Sequence, residues 1–135
     1  MGRLLAIDYG ARRVGLALSD PLKMIASPYR TIINKNNTIL IEEIERIIAA
    51  EDVELTIIGL PLGMAGQKTE QTKKVEKFVD KLTDRGIIIK YEDERWSSVA
   101  AKRSMKEQNI KSGHNKDLVD QTAAAIFLQQ YLDRH

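Results

Sequence analysis

The sequence predicts an α/β protein: a mixed five-stranded sheet in the order β-β-β-α-β-α-β-α, with helices on both faces. Three observations carry that class. Two short apolar runs at the start flank a glycine-bearing turn, as in a hairpin of strands. A continuous, β-branched run at Leu55–Leu60 reads as a strand buried on both faces. Between and after the later strands lie apolar stripes at helical spacing.

The elements follow in order. Leu4–Tyr9 and Val14–Ser19 are the two strands of the opening hairpin. Ala26 to Ile33 supplies a third strand, with Pro28 tolerated near its start or at a sheet edge. Asn37 is a candidate N-cap, and Leu40, Ile41, Ile44, Ile47 and Ile48 follow at helical spacing. Pro61 ends the Leu55–Leu60 strand. Val75, Phe78, Val79 and Leu82 form the stripe of the next helix, which Gly86 closes. Ile87 to Tyr91 reads as another buried strand. Ser97 or Ser98 is placed to cap a helix towards Gln108, and Ile110–Asn115 is polar loop. Val119, Thr122, Ala123, Ile126 and Phe127 are the predicted inward stripe of a last helix. A leading meander followed by alternating strands and helices is the order of the ribonuclease H-like fold.

At 135 residues, with no repeat and no Pro/Gly/Ser linker, residues 1–135 read as one domain. Hydrophobic residues are 43% and charged residues 30%, the composition of a water-soluble protein. Cysteine is absent, which excludes disulfides and thiolate metal sites and fits a reducing cytosol. The start, MGRLLAID, is too short in apolar residues for a signal peptide, and Ala6 stands where a myristoylation start wants Ser or Thr. No apolar stretch approaches the ~20 residues that cross a bilayer. A cytoplasmic protein with no membrane partner is expected.

Net charge is only +2, but its distribution is uneven. Arg95 to Lys116 holds six basic residues against one acid, Glu107. Such an excess suits a polyanion, and equally a solvated loop and helix face.

The candidate chemistry lies in acids at unusual places. Asp8 ends a strand whose Leu4, Ala6 and Asp8 share one face. A carboxylate there is costly unless it is bonded, paired or bound to a cation. Three readings stay open for it: turn former, part of a phosphate-binding loop, or metal ligand. The turn D-Y-G-A-R-R-V-G offers glycines and successive N–H groups that can cradle a phosphate. Actin-like ATP-binding proteins use a similar turn, but they need a second domain, for which 135 residues leave no room. Arg12 and Arg13 suit either phosphate contact or a solubilised hairpin tip.

In YEDERWSS, Tyr91 to Ser98, three adjacent acids call for a cation or an arginine. Alternation places Glu92 and Glu94 on the face opposite Asp93. On the last helix, Asp120 lies at the margin of the inward stripe, while Asp117 suits the first turn. In this fold an acid ending the central strand, one ending a neighbour and one on the final helix can converge. Such hard oxygen ligands suit Mg²⁺ or Mn²⁺, and two ions ~3.5–4 Å apart serve phosphodiester hydrolysis. His114 and His135 have neither the number nor the spacing for zinc.

Four stretches, AIDYGARRVGLALSD, GLPLGMAGQ (Gly59–Gln67), YEDERWSS and KDLVDQTAAAIFLQQYL, together resemble the YqgF family. Its members are ribonuclease H-like proteins described as RuvX-like Holliday-junction resolvase homologues and as pre-16S rRNA nucleases. The resemblance implies a bacterial, cytoplasmic, divalent-metal-dependent endonuclease that processes the 5′ end of pre-16S rRNA in ribosome biogenesis. It implies Asp8, Glu94 and Asp120 as the acidic, metal-holding triad. It also implies that Arg12, Arg13, Arg95, Lys116 and the loop from Gly59 to Gly66 line the nucleic-acid side. Two departures are visible. Trp96 and Ser98 replace the family's aliphatic residue and Thr, and Trp96 suits core filling or base stacking. The strand ending at Gly59 carries no acid, so the second ligand falls to Glu94. Branched DNA is the alternative substrate with the same chemistry, ribosomal particles are candidate partners, and a non-catalytic nucleic-acid-binding adaptor is the competing class.

Overall fold

The computed structural model describes residues 2–93 and 116–135, with side chains of the last helix described from Val119 onward. Five strands form one sheet: β1 (Arg3–Asp8), β2 (Arg13–Ser19), β3 (Ala26–Ile33), β4 (Val53–Leu60) and β5 (Ile89–Asp93). Among the described residues three helices pack on it: α1 (Asn37–Ala50), α2 (Glu70–Asp84) and α3 (Lys116–Arg134). The strand order is β3-β2-β1-β4-β5, so β1 runs through the middle. β1 pairs antiparallel with β2 and parallel with β4, and β4 pairs parallel with β5. The expected mixed sheet is therefore present.

Strand alternation divides the core into two layers. Leu5, Ile7, Val14 and Leu16 face one way and pack on Leu40, Ile41 and Ile44 of α1 and on Val75, Phe78 and Leu82 of α2. Leu4, Ala6, Ala17 and Ile57 face the other way, onto Ala124, Phe127, Leu128 and Tyr131 of α3. Small residues on both sides of the second layer, Ala6, Ala17 and Ala124, are all fully buried. They let α3 settle closely on the sheet.

Most strand bounds match the sequence reading, and three details differ. The N-cap of α1 is Asn36, whose side chain accepts the Ile39 N–H at 2.9 Å. Asn37 is the first helical residue, and its side chain instead accepts the Tyr9 hydroxyl at 2.8 Å. Adjacent asparagines are equally good caps, and the Tyr9 contact settles which one enters the helix.

β5 begins at Ile89 rather than Ile87, and it is an edge strand rather than a buried one. Ile87 packs against the α1/α2 layer, while Ile88 is 66% and Tyr91 42% exposed. The strand extends into the acids because its ladder with β4 pairs Gly59 with Glu92 and Leu60 with Asp93.

The inward stripe of α3 is rotated from the predicted one. Ala123 and Phe127 are buried as predicted, together with Ala124, Leu128 and Tyr131, whereas Val119, Thr122 and Ile126 are only partly covered. A run as apolar as TAAAIFL leaves the phase to the surface it meets. The rotation puts Asp120, one turn before Ala124, on the stripe itself rather than at its margin. The helix read from Ser97 or Ser98 to Gln108, and the loop Ile110–Asn115, lie outside the described residues.

Candidate functional site

The parallel strands β1, β4 and β5 all end on one edge of the sheet, where open α/β sheets place ligands. Asp8 is the last residue of β1 and continues the Leu4–Ala6 face, which is the α3 face. It is partly buried and pairs in register with Gly15 of β2. Paired residues of an antiparallel ladder point to the same side, so the space above Gly15 lies beside Asp8. Asp120 of α3 fills that space. A Cβ built on Gly15 would come within 2.7 Å of the Asp120 Cβ and closer still to its carbonyl group. Asp8 and Asp120, at opposite ends of the sequence, thus flank one glycine. A glycine inside a strand signals such a backbone approach, and Gly15 is the site residue that a search for charged side chains passes over.

Arg13 opens β2 two residues before Gly15 and so shares its face. Its Nε donates to Asp120 Oδ2 at 3.0 Å, with the two side chains 34% and 25% exposed. Arg12 precedes the strand and is exposed at the hairpin tip. The tip is held from three directions. Asn34 donates its backbone N–H to Arg12 O at 2.8 Å and its side-chain amide to Gly10 O at 3.3 Å. Gln71 of α2 donates to Tyr9 O at 3.2 Å. The Tyr9 ring stacks on Phe78 with centroids 4.3 Å apart. Anchored in this way, the Gly-Ala-Arg-Arg turn keeps a fixed position relative to Asp8.

The β4–α2 connection borders the same edge. Gly59 lies near the end of β4, in register with Glu92. Beyond it, Leu62 and Lys68 pair as a small antiparallel bridge that closes a tight loop. Gly66 takes a φ of +85°, which favours glycine, and donates to Gly63 O at 2.8 Å. The Thr72 hydroxyl donates to Pro61 O, and Thr69 with Thr72 forms a capping box, so α2 starts at a fixed distance from β4.

At the end of β5, Glu92 is 6% exposed and accepts from Nη2 of Arg134, near the far end of α3. That ion pair ties the strand leading to Glu94 to the helix bearing Asp120. Asp93 is exposed. Glu94, Arg95, Trp96, Ser98 and His114 lie outside the described residues, as does the side chain of Lys116, although its backbone opens α3. His135 stacks on Tyr131 at 4.2 Å between ring centroids.

Among the described residues no group of three or more His, Cys, Asp or Glu could hold a metal ion. The two acids brought together, Asp8 and Asp120, are oxygen donors alone, which fits a hard divalent cation rather than zinc or copper. Among the described residues, too, no helix is long and apolar enough to cross a membrane.

The chain is similar to known proteins along nearly its whole length. A family model described as "RuvX: Holliday junction resolvase" matches residues 2–134. A relative from Roseiflexus sp. (strain RS-1), named "Putative pre-16S rRNA nuclease", is 41% identical over 133 residues, covering 98% of this chain and 94% of its own. One of the same name from Bacteroides thetaiotaomicron is 42% identical over 137 residues, covering 98% and 97%. Among solved structures, T. thermophilus RuvC in complex with Holliday junction substrate superposes with a TM-score of 0.60 at 14% identity, over 99% of this chain and 95% of that one. Fowlpox virus resolvase with Holliday junction DNA gives 0.58 at 10% identity, over 98% and 97%. At such low identity these two establish the fold, the ribonuclease H-like one that the element order predicted. With a family model matched from end to end and relatives of this identity, the chain belongs to the RuvX (YqgF) family.

Proposed function

We propose that this protein is a divalent-metal-dependent endonuclease of the cytoplasm that processes the 5′ end of pre-16S rRNA, acting alone as a single domain or on ribosomal particles. One observation carries the reading: two acids, on the central strand and the last helix, meet across Gly15 in a chain closely similar to relatives named as pre-16S rRNA nucleases. Asp8, Asp120 and, by family resemblance, Glu94 are the groups that would hold Mg²⁺ or Mn²⁺, as a pair of ions. Ions bound there supply positive charge to the phosphate and activate water. The chain's own contribution is to hold the carboxylates in place and the substrate against them. Arg12 at the anchored tip, Arg13, Arg95, Lys116 and the Gly59–Gly66 loop are the proposed phosphate contacts, each a positive side chain or a run of backbone N–H groups.

Cleavage of precursor 16S rRNA by the purified protein, with Mg²⁺ or Mn²⁺ and with chelator, tests the reading. Wild type is expected to cleave only with metal. Asp8→Asn should lose cleavage by about a thousandfold or more while melting like wild type, because a half-buried strand end tolerates the isosteric amide. Asp8→Asn that cleaves at the wild-type rate refutes the site. The family description and the fold favour a second substrate, branched DNA, so a four-way junction belongs in the same assay. Salt-sensitive binding of either nucleic acid with no cleavage and no metal requirement would assign the protein to the adaptor class instead.

A further inference from the structure

The Arg13–Asp120 pair does not fit the simple picture of an arginine waiting for phosphate. Arg13 Nε donates to Asp120 Oδ2 at 3.0 Å across 107 residues of sequence. Its backbone sits in a strand paired on both sides, since Arg13 pairs with Ile33 of β3 while Gly15 pairs with Asp8 of β1. Asp120 in turn is pressed onto Gly15 through its own backbone. The contact thus joins two groups whose main chains are fixed. It also places a positive charge on Asp120, one of the two acids that flank Gly15.

We propose that Arg13 is the internal counter-ion of Asp120 and competes with a divalent cation for it: Arg13 holds Oδ2 and yields that oxygen when the cation binds. The inference rests on the metal-dependent reading above and deepens it. Arg13 and the cation compete for one carboxylate, so Arg13 weakens metal affinity while stabilising the metal-free protein. With Oδ2 given up, the Arg13 Nε can turn to a phosphate oxygen. Metal loading and phosphate capture are thereby coupled through one side chain.

The test is calorimetric titration of the full-length protein with MnCl₂, for wild type, Arg13→Gln and Arg13→Lys, with melting of each in EDTA and in saturating Mn²⁺. Arg13→Gln is expected to bind Mn²⁺ about tenfold tighter, because one positive charge next to a ligand has gone. Arg13→Lys, which keeps the charge but not the Nε contact, should fall between, about threefold tighter. In EDTA Arg13→Gln should melt below wild type, and the gap should close in Mn²⁺, where the ion pair is already broken. A merely structural ion pair would lower the melting point equally in both conditions and leave affinity unchanged. Equal or weaker Mn²⁺ binding by the variants, with wild type binding normally, overturns the inference alone. Wild type that binds no Mn²⁺ at millimolar concentration overturns the metal-dependent reading, and the inference with it.

Discussion

Replacing Gly15 by Ala adds one methyl group, and its effect can be worked out from the close approach of α3 to β2. The new Cβ would stand 2.7 Å from the Asp120 Cβ, with the Asp120 carbonyl nearer still. Carbon atoms rest at ~3.5–4.0 Å, so the overlap is about 1 Å. β2 cannot retreat, because Gly15 is paired with Asp8 on one side and Thr31 on the other. The helix must therefore lift. Lifting it loosens Ala124, Phe127, Leu128 and Tyr131, which are all buried against the sheet. Overpacking of this kind costs about 1–3 kcal/mol. The sign is diagnostic, since Gly→Ala inside an ordinary strand stabilises by about 0.5–1 kcal/mol by removing unfolded-state freedom. Urea unfolding with an unchanged m-value should show the loss. Cleavage of precursor rRNA should fall about a hundredfold, the effect of misplacing a catalytic group by about 1 Å. A Gly15→Ala variant as stable as wild type and as active would refute the claim that Asp120 is positioned through contact with Gly15.

Two further expectations concern the ends of the sheet. Arg134→Ala leaves the Glu92 carboxylate, 6% exposed, without its partner; the urea midpoint should fall below that of wild type, by a small step because Arg134 itself is 56% exposed. Asp20 holds the β2–β3 loop by accepting the N–H groups of Ile25 at 2.9 Å and Met24 at 2.8 Å, and these bonds, that of Ile25 foremost, lower its pKa from the ordinary 3.8. A depressed acid stabilises the fold above its unfolded pKa and loses that contribution as pH falls through the folded value. The difference in urea midpoint between wild type and Asp20→Ala should therefore hold from neutral pH to about pH 4 and shrink below it.

Where hydrophobic period and turn chemistry agreed, the chain was readable element by element. The Leu4–Ser19 hairpin, read from two apolar runs around a glycine turn, and the Val75–Leu82 stripe, with its clear period and closing Gly86, each stand where expected, as does the 26–33 strand. Misreadings arose where one of the two was missing. Ile87–Tyr91 has the apolar content of a buried strand, yet its register with β4, and not its composition, decides that it starts at Ile89 and runs into Glu92 and Asp93. The Thr122–Leu128 run is apolar all round, so its phase is chosen by the surface beneath it. Asp8 and Asp120 stand out in the sequence because each charge adjoins an apolar run, and the fold brings both to Gly15. Glu92 is the exception: it shares a cluster with Glu94, and nothing local separates the acid that pairs with Arg134 from the one the family resemblance assigns to metal.

The decisive site feature was a missing side chain. Counting carboxylates nominates Asp8 and Asp120 separately, but only the register Asp8↔Gly15 and the descent of α3 onto Gly15 make them neighbours. This also accounts for aspartate rather than glutamate on the helix. With backbone and strand already in contact, a longer acid would carry its oxygens past the position beside Asp8 unless it folded back into an unfavourable rotamer. Shortness of the acid and absence of a side chain on the strand are two halves of one fit. Arg13 belongs to the same geometry: two residues before Gly15 and on the same face, it reaches Asp120 from the strand on which that turn of the helix rests. A strand reading R-V-G, opposite one ending in Asp, thus sets Arg13, the clearance at Gly15 and Asp8 along one face of the pleat.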